Sequence, residues 1–229
     1  MASRPVFIPS TNGPLLVSER AVEFEWAPGM ALSQARKRVQ ALHSAAAKKL
    51  ALRRILEISS KSLDGLGVSL SAFNLQIACP DGVVTSVECA YQSAKRFEHG
   101  GPFRDLRTSS AAHARGDSRL RSSGRLVGFS DPAGDWSLKP ETAFYDWLYL
   151  TALQQSPHLS DQLIEFDGFT DIAFNPEKSL SCQARSAALF VALTKRATLS
   201  TAMSCKDAFI TSAYATQGRH RRESLFDTD

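Results

Sequence analysis

Long hydrophobic runs are missing from this sequence. Nowhere do apolar residues continue for the roughly 18 positions that a membrane-crossing helix needs, so no membrane partner is expected. The segment Met1 to Asn12 has no apolar signal region, and the expected location is cytoplasmic. Cysteine is scarce. Cys79, Cys89, Cys182 and Cys205 form no C-x-x-C pair and share no zinc-like spacing with the histidines, which argues for reduced thiols and against a metal site. Glycine-rich phosphate loops are absent too. Ser59, Ser60, Lys61 and Ser62 follow a strand-like run, but without the glycines of a P-loop, which argues against nucleoside triphosphate binding. Neither a metal nor a cofactor is therefore expected. Internal repeats and a clear linker are also lacking. The expectation is one domain over residues 1–205, with a strand-and-helix extension over 1–54 and a core over 55–197. A disordered basic tail is expected over 206–229.

What is present is an ordinary globular composition, 43% apolar and 22% charged, with a formal charge of +4 that permits a polyanionic partner. The basic residues are clustered. Arg36, Lys37, Arg38, Lys48, Lys49, Arg53 and Arg54 form one group, and Arg219, Arg221 and Arg222 another. Between them, Arg104, Arg107, Arg115, Arg119, Arg121 and Arg125 are opposed locally only by Asp105 and Asp117. Alternation of Val22, Phe24 and Trp26 with Glu23 and Glu25 predicts a half-buried strand. Ser33 is the expected cap of a helix running to about residue 50. A short strand is expected over 55–58, a loop over 59–67, and strand or irregular core over 68–75. Residues 141–153, apolar around most of their circumference, predict a central buried helix. A short helix capped by Ser160, a loop over 167–181 and a last helix over 183–196 complete an α+β, predominantly helical fold with a few short strands in its N-terminal half.

The most informative segment is Val87 to Gly100, VECAYQSAKRFEHG, which predicts a helix to Glu98. At about 100° per residue, Gln92, Lys95 and His99 fall within about 40° of Glu88, and Ala90, Ala94 and Phe97 face the other way. A carboxylate and an amine about two turns apart can flank one small ligand, the carboxylate moving a proton and the amine attacking or holding charge. Helix geometry by itself equally describes a solvated face, the commoner fate of such a stripe.

The same segment resembles the NADAR (YbiA-like) proteins through the pattern E-x-x-x-Q-x-x-K, met by Glu88, Gln92 and Lys95, with Tyr91 at the aromatic position. Leu70, Ser71, Ala72 and Phe73 match an LSNF-like element, with Ala72 at the usual Asn position and Asn74 two places later. Asp167, Gly168 and Phe169 resemble a later Asp-plus-aromatic element, although the Trp common after it is replaced by Thr170 and Asp171. Gln183 to Ser186 stand where Asn-x-Leu-Gly is common. The stretches VEFEWAPG, LEISSKS, LSAFNL, GRLVGF, LKPETAFYDWLY, FTDIAFNP and QARSAALFVAL are similar to the branch encoded beside DarT toxins.

That resemblance implies an antitoxin that removes ADP-ribose from guanine bases of DNA modified by a DarT-type toxin. Its partners would be ADP-ribosylated DNA, ADP-ribose and, functionally, the toxin. It implies catalytic roles for Glu88, Lys95 and Asp167: charge stabilisation or proton transfer, attack on the anomeric carbon, and ordering of water or a ribose hydroxyl. Attack by Lys95 needs a pKa below the ordinary value of about 10.4; a salt bridge is its rival role. Ser71, Phe73, Asn74, Tyr91 and Gln92 are the expected substrate contacts. Arg96, Arg104 and Arg115 are candidate phosphate ligands and Trp136 a candidate stacking ring; for each, an exposed cation or a core aromatic is the plainer reading. Two other activities fit the same residues: a non-catalytic module that binds ADP-ribose or nucleic acid, and a hydrolase acting on the N-riboside bond of a small metabolite. A transferase would need an NAD-binding signature that cannot be placed here.

Overall fold

The computed structural model describes residues 1–177 and 179–214. Strands β1 (Ala2–Pro9) and β2 (Val17–Phe24) pair antiparallel, with Ala2 opposite Phe24 and Pro9 opposite Val17. Helix α1 (Leu32–Leu50) places Ala35, Val39, Leu42 and Ala46 on one stripe, and the last three pack on Val6, Val22 and Phe24. No side chain caps α1, and Ser33 lies inside its first turn instead of at the expected cap. After β3 (Ile55–Glu57) comes α2 (Gly65–Ser69), a short helix in the stretch expected to be loop and strand. Its cap is Asp64, which accepts the Leu66 N–H at 2.9 Å. The hairpin of β4 (Gln76–Ala78) and β5 (Val84–Ser86) turns at Asp81 and Gly82 and leads directly into α3 (Val87–Ser93).

Here the structure corrects the expected helix. It stops at Ser93, and Lys95–Phe97 is a strand, β6. A 3-10 turn (Arg104–Thr108), α4 (Ala111–Gly116) and α5 (Arg119–Ser122) follow, then β7 (Leu126–Asp131) and β8 (Gly134–Trp136). β6 pairs with β7, Lys95 opposite Phe129, and β8 completes a three-stranded sheet. Ladder bonds supplied by a distant strand outweigh the local helical preference of residues 94–98.

The second half contains α6 (Ala143–Gln154), α7 (Pro157–Leu163), β9 (Gly168–Thr170), α8 (Gln183–Lys195), α9 (Leu199–Ala202) and α10 (Lys206–Tyr214). Ser160 lies within α7, whose first residue is Pro157, and does not cap it. The four-stranded sheet has the order β2-β1-β9-β3, so the N-terminal segment shares a sheet with the core. β9 is buried on both faces and shows no alternation, and β8 is equally short; both escape pattern reading for that reason. The fold is thus mixed α/β, and its strands lie in both halves instead of only in the first.

α6 runs through the main core with Phe144, Leu148, Leu150 and Leu153 buried, and the fully buried Tyr149 donates its hydroxyl to the Leu70 carbonyl at 2.7 Å. Asp146 is also buried. It accepts from Thr142 (2.9 Å), Arg185 (2.5 Å), Ser186 (2.5 Å) and the Tyr214 hydroxyl, tying α6 to α8 and α10. Breaking a buried ion pair of this kind typically costs about 3–5 kcal/mol. α10 also buries Phe209, so residues 206–214 are folded, contrary to the expected tail. The remainder of that tail, residues 215–229, lies outside the described residues. No helix among the described residues is long and apolar enough to cross a membrane. All four cysteines are free thiols.

Candidate active site

The N-terminus of α3 is fixed three ways. The Ser86 hydroxyl accepts the Cys89 N–H (3.2 Å), the Val87 N–H donates to Leu75 (3.0 Å), and the Glu88 N–H donates to Ala72 (2.9 Å). These bonds hold Glu88 against the Ser71–Phe73 turn. Its side chain is buried, and the Gln92 Nε2 one helical turn later donates to its Oε1 at 2.9 Å. The other end of that amide, Gln92 Oε1, is buried without a hydrogen-bond partner among the described residues. A buried orphan acceptor is costly, and it marks a place where a ligand donor would be welcome.

Glu88 and Gln92 open onto a cleft of about 950 Å³. Lys95 enters it from β6. Cross-strand partners project to the same face, so Lys95 and its partner Phe129 both line the cleft. The Lys95 Nζ stands 4.8 Å from the centre of the Tyr91 ring, which itself packs on Phe129, Phe144 and Tyr145. Burial lowers the Lys95 pKa to about 8; Glu88 pulls it back up, and Arg115 adds a smaller push down. An amine in that range is partly neutral near neutral pH and can act as a nucleophile.

A further part of the wall is built by residues that no sequence pattern singles out. Asp171 lies at the cleft, just beyond β9, and its carboxylate accepts the Ala173 N–H (3.0 Å) and the Gln183 Nε2 (3.0 Å). Burial, with Glu57 nearby, raises its pKa to about 7. Glu57 is buried behind it, pushed up chiefly by desolvation, and accepts Ser59 Oγ (2.6 Å), Thr170 Oγ1 (2.7 Å) and the Ile172 N–H (2.9 Å). Gln183 knits the wall together. It accepts the Ala72 N–H (2.7 Å) and donates to the Ile58 carbonyl (2.6 Å) as well as to Asp171. Ser59, Ser60, Lys61 and Tyr145 also line the cleft.

Of the residues singled out from the sequence, Ser71, Phe73, Glu88, Tyr91, Gln92, Lys95 and Arg115 meet in this cleft. The others stand elsewhere. Asp167 receives the backbone N–H groups of Arg53 and Arg54, both at 2.9 Å, and so braces the chain entering β3. Asn74 donates to the Val68 carbonyl (2.9 Å). Arg96, next to Lys95 on a strand, is turned from its face and pairs with Asp135 at 2.5 Å. Trp136 is buried against Phe144 and Trp147. Arg104 lines a different cavity, and His99 is outside the cleft because the helix ends before it. Among the described residues, no group of three His, Cys, Asp or Glu side chains is placed to hold a metal ion.

The class that fold and site define is an α/β domain whose large cleft brings together a buried glutamate, a buried aspartate and a lysine. The sequence model of the DarT1-associated NADAR antitoxin family matches residues 2–223, and the chain belongs to that family. No curated protein matches it.

Proposed function

We propose that this antitoxin is an ADP-ribosylguanine glycohydrolase, which removes ADP-ribose from guanine in DNA modified by its DarT-type toxin, in the cytoplasm and without a metal. The observation that carries this reading is an amine softened to about pH 8 in the same cleft as a buried carboxylate.

In the proposed sequence, the neutral Lys95 amine attacks the anomeric carbon, and the carbon–nitrogen bond to guanine breaks with its electron pair remaining on the base. Glu88 stabilises the positive charge that develops on the sugar, takes the proton shed by the attacking nitrogen and passes it to the departing base. The bond from the anomeric carbon to the ring oxygen then breaks, the remaining proton of the lysine nitrogen passes to that oxygen, and the opened sugar is held as a Schiff base on Lys95. Asp171, in the place first assigned to Asp167, takes a proton from the water that adds to the imine carbon. Asp171 passes that proton to the lysine nitrogen, and collapse of the adduct, with the hydroxyl proton following to nitrogen, frees the amine and releases ADP-ribose. Arg115 and Lys61 are cleft cations suited to the diphosphate, and Phe73 is the lining aromatic suited to stack on a base.

The test is an oligonucleotide carrying ADP-ribosylated guanine. The wild-type protein is expected to release ADP-ribose in the presence of a chelator, while Lys95→Ala and Glu88→Gln remain folded and lose at least about a hundredfold in rate. Borohydride is expected to link the sugar to Lys95. Tight binding with no turnover would instead identify a non-catalytic antitoxin, and turnover without a trapped adduct would remove the Schiff base.

A further inference from the structure

α3 and the start of β6 separate two cavities. Glu88, Tyr91, Gln92 and Lys95 look into the cleft described above, whereas Ala90, Ser93 and Ala94 look into a second cavity of about 280 Å³ that shares no lining residue with the first. The second cavity is walled mostly by apolar groups, including Ile77, Leu148 and the indole of Trp147. Most of its polar wall is already committed. Ser93 bonds to the Ala90 carbonyl, Thr151 to the Trp147 carbonyl, and both ends of the Gln155 amide to the backbone of Ala78.

Three groups are not. Arg107 is 12% exposed and gives one terminal nitrogen to Asp81 at 2.5 Å, but its Nε is buried with no partner among the described residues. Arg104 enters the cavity without an ion pair to a described residue. Asp131 is held by backbone N–H groups of its own turn, Ala133 at 2.9 Å, and by no side-chain donor among the described residues; burial raises its pKa, and those backbone bonds, Arg104 and Lys206 oppose that. Asp81 balances Arg107, and Asp131 balances Arg104. The cavity is therefore near neutral and is a poor host for an ion, because a charged guest would be desolvated without a counter-charge of its own. An uncharged, flat molecule suits it, one with acceptors for guanidinium, donors for a carboxylate and a ring face for Trp147.

We propose that this cavity is a second ligand site and takes a free nucleobase, with guanine the best complement. The N1–H and amino group of guanine supply two donors to Asp131, and its O6 and N7 supply two acceptors to Arg104 and Arg107. Adenine offers the carboxylate only one donor group on its pairing edge. The site does not depend on the deglycosylation reading, because it shares no residue with the first cleft.

Calorimetric titration of the full chain with 9-methylguanine and 9-methyladenine tests this. One equivalent of 9-methylguanine is expected to bind, at least about tenfold more tightly than 9-methyladenine. Thr151→Phe, which fills the cavity from α6, and Asp131→Ala should each weaken that binding at least about tenfold, with Lys95→Ala leaving it unchanged. If Asp131→Ala does not fold, Thr151→Phe decides. Absence of binding at millimolar 9-methylguanine, equal affinity for both bases, binding unaffected by Thr151→Phe, or binding abolished by Lys95→Ala would each overturn the proposal. The last result would put the base in the first cleft.

Discussion

Lys95 should cost the protein stability, and replacing it should show how much. Burial takes its pKa from the ordinary 10.5 to about 8, in spite of Glu88. Below pH 8 the folded chain therefore holds an ammonium that water solvates poorly, while the unfolded chain holds the same ammonium fully hydrated. At about 1.4 kcal/mol for each tenfold change, that gap corresponds to about 3 kcal/mol at most. The sign follows from proton binding. Between pH 8 and pH 10.5 the unfolded chain binds more protons at this site than the folded one, so the contribution of Lys95 to stability improves as pH rises through that window. Lys95→Met keeps the length of the side chain and removes the charge. Glu88 loses a cation but keeps its bond from Gln92. The variant is expected to be inactive and, at pH 7, more stable than wild type by about 1–3 kcal/mol. Its advantage should shrink as the buffer approaches pH 10. Urea unfolding of both proteins at several pH values, followed by tryptophan fluorescence, measures the difference directly and cancels the titration of groups common to both. A variant less stable at pH 7 would mean that attraction to Glu88 outweighs burial. A difference independent of pH would mean that Lys95 titrates as an exposed lysine does. Either result would remove the basis for a neutral nucleophile.

Glu88 and Gln92 were legible in the sequence because four residues is one helical turn, and the helix does exist over those positions. Lys95 lines the same cleft for a reason the helical wheel does not contain. It reaches the cleft because β6 pairs with β7, and no local pattern reveals a partner some thirty residues downstream. The same wheel drew His99 into the stripe. Asp167 and Asp171 show a different limit. Both are carboxylates within one stretch without marked periodicity, and only the burial of β9 decides that the first braces backbone and the second meets the cleft. The arginines resisted assignment because their charges are cancelled across space. Arg96 meets Asp135, Arg107 meets Asp81, and Arg119 meets Asp105 as well as the Asp117 visible nearby in sequence. The central helix α6 was readable because apolar character on all sides has one physical outcome in a globular chain.

The two aspartates give contrasting predictions. Asp167→Ala removes the acceptor for two backbone N–H groups and should cost about 1–2 kcal/mol of stability, seen as a lower urea midpoint, with the deglycosylation rate unchanged. A large loss of rate in that folded variant would return Asp167 to the chemistry. Asp171→Asn should behave in the opposite way. Its carboxylate, with a pKa of about 7, is placed by the proposal to accept a proton from water in the step that frees Lys95. An amide cannot accept that proton, although it can still receive the Ala173 N–H. Loss of a general base slows its step by about a hundredfold or more, whereas attack by Lys95 does not require it. The covalent adduct should therefore accumulate: less ADP-ribose is released, but borohydride captures a larger fraction of Lys95 than in wild type. The release step of wild type should quicken as pH rises through about 7, and that dependence should vanish in the variant. A variant that releases slowly and also traps poorly would assign Asp171 to the earlier attack or to bracing Gln183, because only a block after the covalent step raises one signal while lowering the other.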